Sequence, residues 1–312
     1  MKLACITLLL LIPFGMQAQH IQKADALVHP RIAEREISVG GEDADINGFT
    51  NRSIQYAIDA LEESGGTVLL DPGQYSISAP VRLRSNIRLV GSGSGTVLKK
   101  VSGVQTRFLV DADYGELKLT VENTDGFEIG MKVQVTDDPH SGCWNVSTAY
   151  ITEIADDIIY IDRGLIRDYR SDLNGLISNA SSVIDVIDAE NCSISNLVIH
   201  GNREENFFAD GCNSAGILII RSRFITVDGV HVKDFNGEGI SWQITEHVTI
   251  RNSEISGSGN TGLHPGTGSP FTIIENNDVH HNDRDGLFIC WRVYESQVRG
   301  NKIHHNGRFG LC

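Results

Sequence analysis

Beyond its N-terminal segment the sequence has no apolar run of the roughly 20 residues needed to span a bilayer, so nothing later in the chain reads as a membrane helix. It has no Cys-x-x-Cys pair and no Cys/His spacing of the zinc-finger type, which argues against a structural zinc site. It has no Gly-Lys-Ser/Thr phosphate loop. Gly91-Ser92-Gly93-Ser94-Gly95 follows one strand-like segment but leads into another, Thr96-Val97-Leu98, and not into a helix N-terminus that would hold a phosphate, so it reads as a tight corner. Basic charge is also short: 26 Lys and Arg against 40 Asp and Glu leave a net charge of -14. That excludes nucleic acid and anionic membranes as partners, and it disfavours an acidic polymer except at a local basic patch. Aromatic residues make up only 7% and prolines number 7, whereas glycines number 32, a composition of many turns and short strands.

What is present begins with a targeting segment. Lys2 precedes a nearly continuous apolar stretch over residues 3–15, and Met16-Gln17-Ala18 places a small residue before Gln19. The stretch suits a signal peptide over residues 1–18 and is too short to span a bilayer, which predicts a secreted or periplasmic protein. Cys5 lies ahead of the apolar core, unlike the cysteine of a lipoprotein anchor. Cys143, Cys192, Cys212, Cys290 and Cys312 remain after cleavage, an odd count that leaves at least one unpaired. Cys192–Cys212 is the favoured bridge. Cys290 and Cys312, on adjacent stacked strands offset by two residues, would have Cα atoms about 8 Å apart, from about 4.8 Å between strands and about 6.8 Å along them; a bridge wants under about 7 Å.

Residues 19–45 are a polar lead-in with little periodicity. Ile54, Ala57, Ile58 and Leu61 then recur at helical spacing behind the capping candidates Asn51-Arg52-Ser53, with Gly65-Gly66 as the stop. Short strand-like segments follow to residue 104. Residues 105–178 alternate or run apolar between Gly/Asp turns without a period and read as a small inserted antiparallel β subdomain. From residue 179 onward a repeat is explicit. Gly216, Gly239, Gly262, Gly286 and Gly310 are spaced by 23, 23, 24 and 24 residues. Ile194, Val227, Ile250, Ile274 and Val298 keep a second strand in phase, as do Ile199, Val232, Ile255, Val279 and Ile303. Fixed phase stacks these apolar residues coil on coil. Asn196, Gly229, Asn252, Asn276 and Gly300 fall two residues after the second marker, as turn residues that tolerate unusual backbone angles, with stacked Asn side chains able to bond along the axis. The fold class is therefore all-β: a right-handed single-stranded parallel β-helix with an N-terminal capping helix and a small inserted β subdomain. One beat is longer, 33 residues from Ile194 to Val227, which marks residues 202–213 as an excursion suited to function. Gly310-Leu311-Cys312 ends within the fifth matching strand, so the sequence reads as a fragment of a longer solenoid.

Residues 51–61, Gly65-Gly66-Thr67-Val68, Asp71-Pro72-Gly73-Gln74-Tyr75 and Asn86-Ile87-Arg88-Leu89-Val90-Gly91 resemble the N-terminal cap of pectate-lyase-like β-helix proteins, a superfamily of pectate lyases, rhamnogalacturonases, polygalacturonases and alginate-modifying enzymes. The resemblance covers the cap and the C-terminal coils and implies secreted carbohydrate chemistry. The polygalacturonase signatures Asn-Thr-Asp, Asp-Asp, Gly-His-Gly and Arg-Ile-Lys are not matched, nor is the Trp-Ile-Asp-His segment of calcium pectate lyases, so the reaction is not named by it.

On a strand, side chains alternate. With Ile217, Ile240, Leu263 and Leu287 inward, Leu218, Ser241, His264 and Phe288 point outward, followed by Ile220, Gln243, Gly266 and Cys290. His264 is thus placed mid-face with Trp242, Gln243, Trp291 and Arg292 at nearby heights; Trp242, at an inward position, reads as core. Rings stack on sugars, Arg grips a carboxylate and His moves a proton near neutral pH. The expected catalytic set is His264, Arg292, Glu238 and Asp285, with Ser241, Gln243, Phe288, Trp291, Arg203 and Asp210 binding substrate. In the leading reading, a lyase on a uronic-acid-containing glycan, His264 handles the proton and Arg292 the substrate carboxylate. Alternatives are a glycoside hydrolase using two of Asp210, Asp234, Glu238, Asp283 and Asp285, and a non-catalytic glycan-binding protein. His280-His281 and His304-His305 stack 24 residues apart without a recurring acidic partner, and Asp137-Asp138 or Asp156-Asp157 could take calcium, but no cofactor or metal is assigned. The expected partner is a polysaccharide; nothing in the sequence specifies an oligomeric state.

Overall fold

The computed structural model describes residues 35–312, so the expected leader and most of the lead-in lie outside the described residues. Among the described residues, three parallel sheets form the faces of a parallel β-helix. The nine-stranded sheet carries the register Ile194–Val227–Ile250–Ile274–Val298. The seven-stranded sheet carries Ile199–Val232–Ile255–Val279–Ile303. The five-stranded sheet aligns Val81, Ile184, Ile217, Ile240 and Leu263, and bridges continue the row through Leu287 to Leu311. The inward residues of all three form one continuous core, with Ile194, Ile217, Ile240, Ile250, Ile255 and Leu263 fully buried.

The repeat glycine has a specific cause. A Cβ on Gly239 would sit 2.6 Å from the Gly262 carbonyl oxygen and 2.5 Å from Ile255 Cγ2; a Cβ on Gly262 would sit 2.8 Å from the Gly286 carbonyl oxygen and 2.6 Å from Val279 Cγ1. Each coil thus leaves room only for hydrogen where the next coil's backbone passes. Gly239→Ala should lower stability by about 1–3 kcal/mol, the usual scale of overpacking, read as a lower denaturant midpoint at unchanged slope. The turn residues behave differently. Asn196, Gly229, Asn252, Asn276 and Gly300 all adopt left-handed backbone angles, with φ between 50° and 65°. The axial ladder of side-chain amides, however, lies one residue further on. Asn277 donates to Asn301 Oδ1 at 2.9 Å and to the Ile250 carbonyl at 2.9 Å, and Asn282 repeats the pattern with Asn306 and the Ile255 carbonyl.

At the N-terminal end, helix α1 spans Asn51–Ala60 and buries Ile54, Ala57 and Ile58. Thr50, not the Asn51-Arg52-Ser53 run, caps it: Thr50 Oγ1 accepts from the Ser53 amide at 3.2 Å, while Asn51 bonds Ser78. Two strands that patterning missed precede the helix, Glu36–Gly40 and Ile46–Asn47, the first pairing in parallel with Gly66–Leu70. A six-stranded antiparallel sheet is built from residues between Gln105 and Ser178 and has its own core around Phe108, Leu119, Val133, Ile151, Ile159 and Ile177. Among the described residues no helix is long and apolar enough to cross a membrane. The favoured Cys192–Cys212 bridge is not formed. Cys192 is buried with its thiol directed at the Arg84 carbonyl, 3.1 Å away, and all five cysteines among the described residues are free.

Candidate active site

The outward row of the five-stranded sheet aligns Arg82, Asp185, Leu218, Ser241 and His264. This row is not the open surface that strand alternation predicts. Leu218 and Ser241 are fully buried and His264 is 6% exposed. Two long-range covers close the row from Asp185 to Ser241. From the antiparallel sheet, Lys132 Nζ reaches Asp185 Oδ2 at 2.9 Å and Tyr150 donates to the same oxygen at 2.9 Å. From the excursion, Asn213 offers its carbonyl to Lys132 at 3.0 Å, and the Gly211 carbonyl accepts from Ser241 Oγ at 2.6 Å. The excursion thus folds onto the groove, and Gly211 lies so close to the Glu238 carboxylate that a Cβ there would overlap it.

At the edge of this covered stretch sits a compact ionisable group. His264 Nδ1 and Glu238 Oε2 are 2.9 Å apart, both side chains nearly buried, and Asn260 donates to the other carboxylate oxygen at 3.4 Å. Burial alone would disfavour the imidazolium, but the Glu238 charge and the hydrogen-bonding contacts outweigh it and raise His264 to about 9. Cys290, on the next coil, approaches the imidazole. That approach is the main cause that lowers its thiol to about 7, against the opposing effect of burial, with help from Thr267, whose Oγ1 is 3.3 Å from the sulfur. The contact stops short of a formed hydrogen bond, because His264 Nε2 has no aligned partner. Phe288 packs against the His264 ring at 5.1 Å between centroids. At neutral pH the arrangement places an imidazolium between Glu238 and a partly ionised thiol.

The other expected site residues divide. Ser241 and Gln243 are fully engaged within the chain. Gln243 donates to Ser241 Oγ at 3.1 Å and accepts from the Thr267 amide at 3.0 Å, so together they brace the loop after His264. Asp285 is buried and gripped by Arg308 through two bonds of 2.9 and 2.7 Å, so it offers no free carboxylate opposite Glu238. Arg292 and Trp291 are exposed on the turn beyond Cys290, Trp291 at 83%. Arg203 pairs with Asp283 and bonds the Gly257 carbonyl, lining a cavity of about 800 Å³ with His200, Glu205 and Asp234, away from His264. Asp210 accepts from the Cys212 amide at 3.0 Å and forms a cluster with Cys212 and Cys143. Trp242 is core, its indole donating to Thr272 at 3.1 Å.

Sequence reading missed two features. Cys290 was only one of several outward positions, and nothing local marks its contact with His264. For the paired histidines an acidic partner does recur: Glu254 and Asp278 stack in register, and His280 Nε2 lies 3.3 Å from Glu254 and His304 Nε2 2.8 Å from Asp278. The rings stack in two columns, 280 on 304 and 281 on 305, at 5.1 and 5.3 Å. Asp137, a calcium candidate, has both oxygens taken by His140 and the Arg170 amide.

A family model for the right-handed β-helix region matches residues 174–312, and one for the rhamnogalacturonase A/epimerase, pectate-lyase-like family matches residues 37–143. A mannuronan C5-epimerase of Azotobacter vinelandii is 41% identical over 75 residues, 20% of this chain and 9% of that protein. The solved A-modules of two mannuronan C-5 epimerases from the same organism are 22% and 21% identical, each with a TM-score of 0.54 over 84% of this chain. The chain spans about half their length, 54% and 55%. At this identity the likeness concerns the fold.

Proposed function

We propose, for a chain that belongs to the pectate-lyase-like right-handed β-helix superfamily, that it is a secreted or periplasmic polysaccharide-modifying enzyme. Its substrate in this reading is a uronic-acid-containing glycan, and its reaction begins with proton removal from the carbon beside the carboxylate. The observation that carries the reading is the Glu238–His264–Cys290 sequence of ionisable groups at the edge of the covered groove. In this reading the roles differ from those expected from sequence. His264, held as imidazolium by Glu238, is the acid, and the Cys290 thiolate is the base. In the lyase step the thiolate takes the α-proton, so C–H breaks and S–H forms. The electron pair makes the sugar double bond, the glycosidic C–O bond breaks, and His264 gives its proton to the leaving oxygen. Arg292, exposed just past Cys290, is the residue to meet the substrate carboxylate, with Phe288 and Trp291 shaping the sugar path. Ser241 and Gln243 serve as positioning residues, through the loop after His264.

Epimerisation is the second reading, favoured by the local match to a mannuronan C5-epimerase. The same deprotonated intermediate, reprotonated on its other face, inverts the centre without cutting the chain. A two-carboxylate hydrolase fits less well, since Glu238 is committed to His264 and Asp285 to Arg308. Within this proposal residues 1–18 are the leader, 19–104 the cap and first coils, 105–178 an inserted subdomain over the groove, and 179–312 the coils that carry the site.

The test is incubation with a panel of polyuronides and neutral glycans in deuterated water. Ultraviolet absorbance of an unsaturated sugar end is the expected result. Deuterium at the inverted centre without chain cleavage supports epimerisation in its place. New reducing ends with neither signal would make the protein a hydrolase, and binding with no chemistry would make it a glycan-binding module; both overturn the proton-abstraction reading.

A further inference from the structure

Cys143, Asp210 and Cys212 come from segments far apart in sequence, yet their ligand atoms all lie within 4.8 Å of one another. The geometry points to a binding site for a thiophilic divalent cation such as Zn(II), held by Cys143 Sγ, Cys212 Sγ and the Asp210 carboxylate. This goes beyond the enzymatic reading and does not depend on it.

The donors suit the ion. Zinc takes thiolate and carboxylate ligands, and three protein ligands leave a fourth position open, as in sites that exchange a water or a substrate oxygen. The ligands are also held in place before any ion arrives. Asp210 Oδ1 accepts from the Cys212 amide at 3.0 Å, which fixes two of them in one turn. Asn213 Nδ2 donates to the Cys143 carbonyl at 2.6 Å, which ties the third ligand's loop to the same excursion. Cys143 adopts a left-handed backbone, φ 51°.

The local charge is unbalanced in the direction a cation would correct. Among the described residues no Lys, Arg or His pairs with Asp210. Lys132, which bonds the adjacent Asn213 carbonyl, is committed to Asp185, and the neighbouring Glu238 to His264. On binding, two S–H protons leave to solvent as two metal–sulfur bonds form, so binding tightens as pH rises. No Cys-x-x-Cys spacing announces this site in the sequence. Here the ligands are contributed by two loops that meet only through the fold.

The probe is Cd(II) added to the reduced, purified full chain, followed by its thiolate-to-metal absorbance and competed with Zn(II). One ion per chain with two thiolate ligands is expected. Cys143→Ser and Cys212→Ser should each lose binding by more than the about 10–100-fold typical of removing an outer partner, and Asp210→Asn should weaken it by about that factor. Cys312→Ala should bind as the unaltered chain does. Should a variant fail to fold, alkylation of the unaltered chain decides: Cd(II) must protect Cys143 and Cys212 and leave Cys312 reactive. Absence of stoichiometric binding, binding that survives loss of both cysteines, or a Cys143–Cys212 disulfide in protein purified without reductant would overturn the site.

Discussion

His264→Ala should reduce turnover of the responsive polyuronide by about 10²–10⁴-fold, the usual contribution of one positioned proton donor or acceptor. Cys290→Ser should fall in the same range, since an alcohol is not ionised near neutrality. Both losses belong in kcat, because neither residue is the proposed carboxylate-binding group. The pH profile is a sharper readout. Activity needs the Cys290 thiolate, present above about 7, and the His264 imidazolium, present below about 9, so the rate should form a bell between these values. The groups facing the pair are Glu238 from the preceding coil, Thr267 and Phe288 beside it, and Cys143, Asp210 and Cys212 from the covering loops. Glu238→Gln removes the charge that opposes desolvation, so the His264 limb should move to lower pH and the bell should narrow or collapse. A merely structural Glu238 would lower the whole curve and leave its edges where they were. Linked stability has matching signs. His264, raised above its unfolded value of 6.5, stabilises the fold fully below about 6.5, and that contribution is lost as pH rises through about 9; Cys290, lowered from 9.0, contributes above 9 and loses it as pH falls through about 7.

The parts of this molecule that sequence reveals are those repeated along one axis. Gly239 and Gly262 mark the coil period because each faces the next coil's backbone, and Ile240 and Leu263 share a phase because they share a core. Such causes act on every coil and leave a periodic trace. The site has no period. His264 could be placed on its strand and face, but the cover over the rest of its row comes from Gly211, Asn213 and Lys132, whose contacts join residues such as 132 and 185, separated by 53 positions. Cys290 gains its lowered pKa from a neighbour one coil away, and Cys143 meets Cys212 only because two irregular loops converge. Alternation along a strand assigns a direction to a side chain; whether that direction ends in water or under another sheet depends on chain that carries no repeat.

That covering sheet is held at one costly point, and Lys132→Ala should expose it. Lys132 and Asp185 are 2.9 Å apart with side chains 4% and 1% exposed, and Tyr150 shares the same carboxylate oxygen. The other oxygen, Asp185 Oδ1, has no partner. Removing the lysine leaves a buried carboxylate without its counter-charge, a change that costs about 3–5 kcal/mol where only one partner of a buried pair is lost. A large drop in the thermal or denaturant midpoint is therefore expected, in contrast to the about 1–3 kcal/mol expected at Gly239. The paired replacement Lys132→Met with Asp185→Leu should recover most of it, because two apolar groups of similar volume leave no charge to solvate. Lys100 supplies an independent check. It is buried, and burial together with the Lys132 charge lowers its pKa to about 7. The unfolded chain binds that proton more readily, so stability should rise with pH from about 7 toward 10.5, and over a narrower pH range in Lys132→Ala, where one cause of the shift is gone. The functional consequence separates the pair from the catalytic group. In Lys132→Met with Asp185→Leu the fold should be restored while the groove loses the contact that fixes Asn213, so KM should change more than kcat. If kcat collapses while KM holds, the buried pair acts in the chemistry and not only in holding the covering sheet.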